Sequence, residues 1–342
     1  MEQEVPWVHP PEPVTVPMMP LQRLLRLLPL FAGLAACTTP APPDPLPSWN
    51  EGQAKTAILT FVARVTTPGS PDFVPEAERI ATFDNDGTLW QERPTVEVVF
   101  LLTRLKAMAE ADPALARDPA VKAALAKDLA YFHEAGPQAI LELFGVVYGG
   151  VSQDSFIADA RAFLAEAKDP ATGRKLTELT YQPMRELLDY LRSKGFLTWI
   201  CSGGMREMMR LVSDSLYGVP PEQVIGTALQ LTWKEQDGKW ILWREPKILT
   251  FNDQAAKPVN LSLALGRPPL MAVGNEGGHG DIAMLTYSGS RGGPSFQMIV
   301  DHDDAAREHL YQEPDSGSLK AAAANGWTVI SMKNDWRTVY RP

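Results

Sequence analysis

The chain has 342 residues, of which 45% are hydrophobic and 21% are charged, and its formal net charge is −9 at pH 7. This is the composition of an ordinary globular protein, long enough for one large or two modest domains. The charge argues against nucleic acid as a partner, because there is no basic excess and no Lys/Arg block to neutralise a phosphate backbone.

The amino-terminal segment has the layout of an export signal. Residues 18–37 start with a basic stretch, continue with an apolar run too short to span a bilayer comfortably, and end with small residues. The sequence Leu-Ala-Ala-Cys at 34–37 resembles the lipobox of bacterial lipoproteins, which implies cleavage before Cys37 and a lipid anchor on that cysteine. Thr38 at the next position resembles lipoproteins sent to the outer membrane. The alternatives are an ordinary secreted signal, or an amphipathic anchor, in which Cys37 is incidental.

Residues 1–17 are acidic and proline-rich, which does not suit the start of an export signal, so we expect translation to begin at Met18 or Met19. We assign residues 1–37 to the signal and residues 38–50 to a proline-rich tether. The chain has two cysteines, Cys37 and Cys201. If Cys37 is acylated, Cys201 has no cysteine to pair with, and no intramolecular disulfide is expected.

After the tether, helix and strand patterns alternate around one helical insert. A helix is predicted at 51–65 and a buried strand begins at Ile80. Residues 91–180 carry helical periodicity, with helices predicted at 96–109, 121–135, 138–147 and 154–167. Beyond them we predict helices at 184–194, at 205–217, from Lys257 onward and at 305–311, strands at 196–201, 224–227, 270–273, 296–300 and 327–332, and a hairpin of 229–233 with 240–243 around Asp237-Gly238.

This alternation predicts an α/β fold with a doubly wound, mostly parallel sheet. We expect a core made of residues 51–90 and 181–342, and a helical cap made of residues 91–180.

The stretch from Ile80 to Trp90 is the strongest candidate for a functional site. Its apolar strand stops at Asp84 and Asp86, and Gly87 follows to allow a sharp turn. The carboxyl ends of strands are where open α/β sheets bind ligands, so two acids there indicate a site. The alternative is an Asx-type turn, since Asp-Asn-Asp-Gly is also ordinary loop chemistry.

Three further groups stand at predicted strand or helix ends. Ser202-Gly203-Gly204 follows a strand and precedes a helix, where a hydroxyl and backbone amides could bind phosphate oxygens, although a plain turn explains it equally well. Lys257 lies at a helix start and by itself would be a solvated surface charge. Asn275 to Asp281 form an acidic, glycine-rich loop.

In this order, the four groups resemble the motifs of the haloacid dehalogenase superfamily, over about residues 78–342. Shorter stretches, such as 83–90, 181–184 and 217–224, are similar to a bacterial branch near the phosphoserine phosphatases. The resemblance implies a Rossmann-like fold with the cap inserted after the first strand motif, and a magnesium-dependent phosphatase activity.

The resemblance also implies a role for each group. Asp84 would attack phosphorus, Asp86 would act as general acid and base, Lys257 would neutralise Asp84 and the phosphate, and Ser202 with Gly203 would bind the phosphate.

The same resemblance implies a Mg²⁺ site, with ligands from Asp84, the backbone carbonyl of Asp86, and Asn275 or Asp281. The chain departs from the family here, because Asn275 stands where an acid is usual and the gap to Asp281 is two residues longer. Glu276 is therefore an alternative ligand, and His279 leaves a zinc site as a minor alternative.

The expected function is hydrolysis of a small phosphorylated metabolite by a protein anchored through Cys37 on the periplasmic side of a bacterial membrane. A phosphotransferase of the same fold and a catalytically silent, anion-binding lipoprotein are the alternatives.

Overall fold

The fold is organised on a short central strand, β1 (Ile80–Phe83), whose four residues are all buried. A computed structural model describes residues 43–277 and 279–341. The predicted signal and Cys37 lie outside the described residues. β1 lies between two parallel strands, since Ile80 pairs with Leu197 on one side and Ala81 pairs with Met271 on the other.

The described part of the chain contains one sheet of eight strands. The strands that follow β1 are β2 (Val151–Ser152), β3 (Leu197–Met205), β4 (Val224–Gln236), β5 (Lys239–Thr250), β6 (Met271–Asn275), β7 (Phe296–Asp301) and β8 (Thr328–Ser331). Their spatial order is β2-β5-β4-β3-β1-β6-β7-β8. The six strands from β4 to β8 in that order run parallel, and β5 and β2 add antiparallel pairs at one edge. The predicted fold class, an α/β fold with a mostly parallel sheet, is confirmed.

Thirteen α-helices are found in the same described residues. The helices of the core are α1 (Gln53–Thr66), α7 (Gln182–Ser193), α8 (Arg206–Arg210), α9 (Ser213–Tyr217), α10 (Ala256–Leu265), α11 (Ile282–Gly289), α12 (Gly317–Asn325) and α13 (Met332–Asp335). The helices of the cap are α2 (Val96–Ala111), α3 (Pro119–Ala126), α4 (Leu129–Ala135), α5 (Pro137–Tyr148) and α6 (Gln153–Glu166). Among the described helices, none combines the length and the apolar composition that spanning a bilayer requires.

Alternate residues of the central strands face two different layers of helices. Met271 and Val273 of β6 pack in a cluster with residues of α1 and α7, such as Ile58 and Leu187. Ala272 between them packs in a second cluster with α10, α11 and α12. This two-sided burial is the period-2 pattern of a parallel sheet covered on both faces.

The cap has its own apolar core and is completed by the β4–β5 hairpin. Phe100, Tyr148 and Phe156 form its aromatic centre, and Leu229 of β4 packs in the same cluster. The sequence predicted a short strand and a separate hairpin here, whereas β4 is one continuous strand of 13 residues. The hairpin therefore belongs in space to the cap, although it lies in the segment that we assigned to the core.

Three local predictions differ from the structure. Residues 121–135 form two helices, because Lys127 takes a left-handed conformation (φ 55°) and Asp128 caps the second helix. Residues 205–217 likewise form two short helices. No helix forms at 305–311, where Asp304 and Arg307 pair in a turn; the helix between β7 and β8 is α12.

The packed domain begins before α1. Leu46 and Trp49 are fully buried, and the indole of Trp49 donates to the carbonyl of Pro183 at 2.9 Å. The Ser48 hydroxyl donates to Glu186 at 2.6 Å. Part of the range predicted as a tether, 38–50, is therefore packed against α7.

Candidate active site

A buried lysine joins two carboxylates at the carboxyl end of β1. Nζ of Lys257 lies 2.7 Å from Oδ1 of Asp84 and 2.5 Å from Oδ1 of Asp281. All three side chains are almost completely buried. The structure therefore brings together three residues that are separated by up to 197 positions and that the sequence predicted to share a site.

The sheet explains this meeting. Asp84 follows β1 directly, and its amide continues the ladder by donating to the carbonyl of Val273 at 2.9 Å. Because β3 and β6 flank β1 in parallel, Ser202 and Asn275 reach the same edge. Lys257 comes to this edge from the first turn of α10.

The charges of this cluster are strongly coupled. Burial, and then the charge of Asp281, raise the pKa of Asp84 well above its usual value, while Lys257 opposes the change. Burial would lower the pKa of Lys257, but Asp281 and Asp84 raise it well above its usual value. Lys257 is therefore a permanent cation in the site.

The lengthened acidic loop returns its last residue to the cluster. Oδ2 of Asp281 accepts a hydrogen bond from the amide of Asn275 at 3.0 Å. The side chain of Asp281 occupies the space where a Cβ on Gly274 would stand, 2.5 Å from that position. Glycine at 274 therefore permits the close approach, and the two additional residues do not displace Asp281 from the site.

The two other candidates in this loop point away from the cluster. Glu276 is fully buried and its Oε1 accepts from the amide of Glu313 at 3.2 Å. His279 lies 2.9 Å from Asp315 and 3.2 Å from Glu313, in a group whose ligand atoms lie within 4.8 Å of one another. Glu313 already accepts from Ser318 and from the amide of His279, so hydrogen bonds within the loops account for this group.

Asp86, two residues after Asp84, is half-buried and lines the same cleft as the cluster. The indole of Trp90 donates to its Oδ1 at 2.9 Å. Burial raises the pKa of Asp86, and the Trp90 hydrogen bond partly opposes this. A raised pKa suits a carboxyl group that exchanges a proton during a reaction.

The Ser202-Gly203-Gly204 segment is held in place by side chains that the sequence analysis missed. Thr227 donates from its hydroxyl to the carbonyl of Gly203 at 2.6 Å, and Asn252 donates to the carbonyl of Ser202 at 2.9 Å. The segment continues β3, and α8 begins only at Arg206. The sequence predicted that its amides lie at the start of a helix, and this prediction is wrong because they belong to β3.

A cleft of about 250 Å³ covers these groups. Its floor is formed by Asp84, Asp86, Ser202, Gly203, Lys257, Asn275 and Asp281. The cap adds Val98 and Phe144, the end of β5 adds Phe251, and three further acids, Glu92, Glu97 and Asp253, line the walls. Glu92 and Glu97 had no signal in the sequence, because acids near a helix start are common on surfaces.

Glu97 is the most perturbed of these wall residues. Its Oε2 accepts from the amide of Met205 at 2.7 Å. Burial, together with the charges of Asp86 and Glu207, raises the pKa of Glu97 to about 8 despite that hydrogen bond. At neutral pH this carboxyl group is largely protonated.

The donor set at the floor fits a hard divalent cation. Asp84, Asp86, Asn275 and Asp281, which carry carboxylate and amide oxygens, all line the cleft, and among the described residues that line it there is neither histidine nor cysteine. Oxygen donors of this kind suit Mg²⁺ and do not suit a zinc site built on sulfur and nitrogen. Asn275 also donates from Nδ2 to Glu92 at 3.0 Å, which orients its carboxamide.

Comparison with known proteins agrees with the fold and matches part of the chain to a family. Residues 81–250 match the family of haloacid dehalogenase-like hydrolases. No curated protein sequence matches the chain. A conserved, functionally unknown protein from Anaerococcus prevotii has a similar fold, with a TM-score of 0.54 and 15% identity, over 81% of this chain and 91% of that chain.

Two further solved structures show weaker similarity. A protein of unknown function from Bordetella pertussis is 18% identical, with a TM-score of 0.48 over 74% of this chain and 98% of that chain. A phosphoserine phosphohydrolase-like protein from Francisella tularensis is 19% identical, with a TM-score of 0.41 over 76% of this chain and 95% of that chain. Residues 81–250, just under half of the chain, are therefore similar to haloacid dehalogenase-like hydrolases, and the mostly parallel sheet agrees with that similarity.

Proposed function

We propose that the protein is a magnesium-dependent phosphomonoesterase that forms an aspartyl-phosphate on Asp84. The observation that carries this proposal is the buried contact of Lys257 with Asp84 and Asp281, at the edge where β1, β3 and β6 end. A cation fixed beside a nucleophilic carboxylate stabilises the negative charge that a phosphoryl group brings into the site.

In the first step, an oxygen of Asp84 attacks phosphorus and the bond from phosphorus to the leaving alcohol breaks. Asp86 donates its proton to the alcohol oxygen. In the second step, water attacks the phosphorus of the aspartyl-phosphate and Asp86 takes a proton from that water. The bond between phosphorus and the Asp84 oxygen breaks, which frees inorganic phosphate and restores the Asp84 carboxylate. Splitting hydrolysis in this way replaces one difficult displacement by two easier ones.

The remaining residues hold the phosphoryl group. Lys257, the Ser202 hydroxyl and the Gly203 amide would bind its oxygens, and Thr227 and Asn252 keep that segment fixed. Asp84, the Asp86 carbonyl, and Asn275 or Asp281 would hold Mg²⁺, which neutralises charge on the phosphoryl oxygens when bound.

The cap restricts the substrate to a small molecule. A volume of about 250 Å³ accommodates a phosphoryl group with a short leaving group. Val98 and Phe144 place apolar surface opposite the acidic floor, where the leaving group would lie.

The location of the enzyme is also part of the proposal. The lipobox-like sequence at 34–37 supports a lipid anchor on Cys37, which would hold the protein on the periplasmic side of a bacterial membrane, the outer membrane in particular. Mass analysis of the mature protein tests this, because the anchor requires an amino-terminal, acylated Cys37.

The activity is tested with an aryl phosphate as a general substrate. We expect phosphate release that stops on chelation and returns with Mg²⁺, and a loss of at least roughly 10³-fold in kcat for Asp84→Asn. Asp214→Asn is the matched control, since Asp214 is exposed on α9. Full activity in Asp84→Asn, or after chelation, would contradict the proposal. Added alcohols that receive the phosphoryl group would identify a phosphotransferase, and binding of phosphate without turnover would identify an anion-binding protein.

A further inference from the structure

A buried histidine holds the backbone of the turn that carries Asp86. His302 follows β7 and is fully buried. Its Nε2 lies 2.8 Å from the carbonyl oxygen of Gly87. A carbonyl can only accept, so Nε2 carries the hydrogen and donates it to Gly87.

Three further contacts fix the orientation of the ring. Nδ1 of His302 lies 3.2 Å from Oε2 of Glu308, whose side chain is fully buried. The Tyr181 hydroxyl donates to the other oxygen of Glu308 at 2.8 Å. The ring stacks on Tyr311, with centroids 4.1 Å apart and planes at 21°. His302 therefore cannot rotate without breaking buried hydrogen bonds.

The turn that His302 holds has no room to shift. Gly87 has a φ of 72°, and a Cβ there would lie 2.1 Å from Nδ2 of Asn275 and 2.6 Å from the Tyr311 hydroxyl. Within the turn, the Gly87 amide donates to the carbonyl of Trp90 at 2.9 Å, and the Trp90 indole in turn binds Asp86. His302 is the contact from outside the turn that joins this network to β7.

We infer that His302 is a positioning residue, which fixes the Asp86–Gly87 turn through its Nε2 donor and thereby places the Asp86 carboxyl for proton transfer. The inference rests on the proposed function for its effect on catalysis. Its structural part, that His302 anchors the turn, is independent of the activity.

Two substitutions separate the hydrogen bonds of the ring. The amide nitrogen of Gln can replace Nε2 of a histidine, whereas that of Asn can replace only Nδ1. His302→Gln therefore keeps a donor for Gly87, and His302→Asn keeps only the contact with Glu308. His309→Asn is the matched control, because His309 is exposed on the same segment.

Hydrogen exchange of the peptide covering residues 84–90 tests the anchor directly in the full chain. We expect these amides to exchange at least roughly tenfold faster in His302→Asn than in the wild type, and at the wild-type rate in His302→Gln and His309→Asn. Equal exchange in His302→Asn and the wild type, or equal acceleration in His302→Gln, would overturn the inference.

Kinetics with an aryl phosphate test the consequence for catalysis. In His302→Asn, kcat should fall roughly 10- to 100-fold, because a small misplacement of a catalytic group is costly, while KM changes little. His302→Gln should recover most of kcat. A rise in KM at unchanged kcat would overturn the positioning role. A wild-type protein that is silent on phosphate esters would remove the proposed function, and the exchange rates would still decide whether His302 anchors the turn.

Should His302→Asn fail to fold, Glu308→Gln supplies the test. This variant keeps His302 but weakens the contact at Nδ1, so the exchange of residues 84–90 should rise roughly threefold. Unchanged exchange in a folded Glu308→Gln would overturn the inference equally.

Discussion

Lys257 shows most clearly what a single residue contributes and why the sequence alone undervalues it. A lysine before a proline at a helix start is by itself a surface residue, and only its place among the other motifs indicated a site. In the structure it is 3% exposed and contacts two buried carboxylates. Burial of a charge without partners is very unfavourable, so each member of this cluster depends on the others.

Replacement of Lys257 by Met should reduce both activity and stability. Met keeps the apolar stem but leaves Asp84 and Asp281 without their cation, so we expect kcat to fall roughly 10²- to 10³-fold. The free energy of unfolding at pH 7 should fall by about 3–5 kcal/mol, and less at pH 5, where the carboxyl groups protonate more readily. Denaturant melts and aryl phosphate assays measure the two effects.

Lys55→Met is the matched control for this substitution. Lys55 is also 3% exposed and also contacts two acids, but its partners Asp44 and Glu51 are solvent-exposed. The Lys55→Met variant should lose less stability than Lys257→Met and should keep the kcat of the wild type. Equal losses of kcat in the two variants would show that the effect of Lys257 is not local to the site.

The buried carboxyl group of Glu97 should make the stability of the protein depend on pH. Its pKa is raised by burial to about 8 in the folded protein, so the folded state holds a proton that the unfolded chain releases above pH 4.5. The stability that this proton contributes is fully present below pH 4.5 and is lost as the pH rises through 8.

In metal-free protein, Glu97→Gln should therefore be as stable as the wild type near pH 5 and more stable by roughly 1–3 kcal/mol near pH 8.5. Thermal melts across this range provide the measurement. Glu110→Gln, an exposed site on the same helix, is the control and should follow the wild type. A constant difference between Glu97→Gln and the wild type at all pH values would contradict the assigned burial of the charge.

At the scale of elements, the cap and the β4–β5 hairpin form one unit through Arg244. This fully buried side chain of β5 donates to the carbonyl of Tyr148 and to Gln153, each at 2.8 Å. It also lies 3.5 Å from Glu207 of α8 and stacks on Phe156, with its guanidinium carbon 3.8 Å from the ring centroid. The amide of Gly150, two residues after Tyr148, also donates to the carbonyl of Arg244 at 2.8 Å, which joins the end of α5 to the hairpin.

Arg244→Met should loosen the cap without changing the strands below it. The substitution leaves the Tyr148 carbonyl and Gln153 without their donor and Glu207 with Arg206 as its remaining cation, which predicts a loss of about 3 kcal/mol in the free energy of unfolding. Hydrogen exchange in α5 and α6 should rise while exchange in β6 and β7 stays the same. Lys239→Met, an exposed site on the same strand, is the control. Uniformly faster exchange, or none, would contradict a local role for Arg244.

Helices and strands could be predicted where the hydrophobic periodicity of the sequence matches the buried face of the element. They could not be predicted where contacts with distant residues determine the local structure. The four apolar residues of β1 and the amphipathic α7 follow from local pattern, and both form as expected. The segment after β7 has helical spacing, yet His302 and Glu308 contact residues more than a hundred positions away, and the Tyr311 hydroxyl accepts from Asn275. Such contacts leave no periodic signal, which is why the sequence missed the residues behind the turn.

At the scale of the whole molecule, the amino-terminal part of the domain closes onto its carboxyl-terminal part. Trp49 is fully buried, and its ring meets that of Trp336 edge-on, with centroids 6.2 Å apart. The amide of Asn50 donates to the carbonyl of Asp335 at 2.8 Å. Proline-rich composition predicted a tether here, because composition does not show which apolar residues find a pocket.

Trp49→Ala should therefore destabilise the protein by about 3–5 kcal/mol in the free energy of unfolding, measured by denaturant melts. Trp233→Ala is the matched control, since Trp233 is 60% exposed on the hairpin, and it should change stability by less than about 0.5 kcal/mol. Similar values for the two variants would contradict the packing of this segment.

The meeting of Asp84, Ser202 and the loop from Asn275 to Asp281 follows from the order of strands, because parallel strands place their carboxyl ends at one edge, and Lys257 reaches that edge from α10. The walls of the cleft do not follow from the order of strands, since Glu97, Phe144 and Phe251 come from the cap and the hairpin. Their positions depend on how these elements pack, which local sequence does not encode.

The proposed mechanism requires that Asp84 becomes phosphorylated during turnover, and acid-quenched mass analysis of the Asp86→Asn variant detects this intermediate. An aryl leaving group departs without a proton, whereas release of the phosphoryl group needs Asp86 as base, so the intermediate should accumulate. We expect the added mass of one phosphoryl group on the peptide that contains Asp84, and no added mass on that peptide in Asp84→Asn. Turnover without that adduct, or an adduct on a different residue, would contradict it.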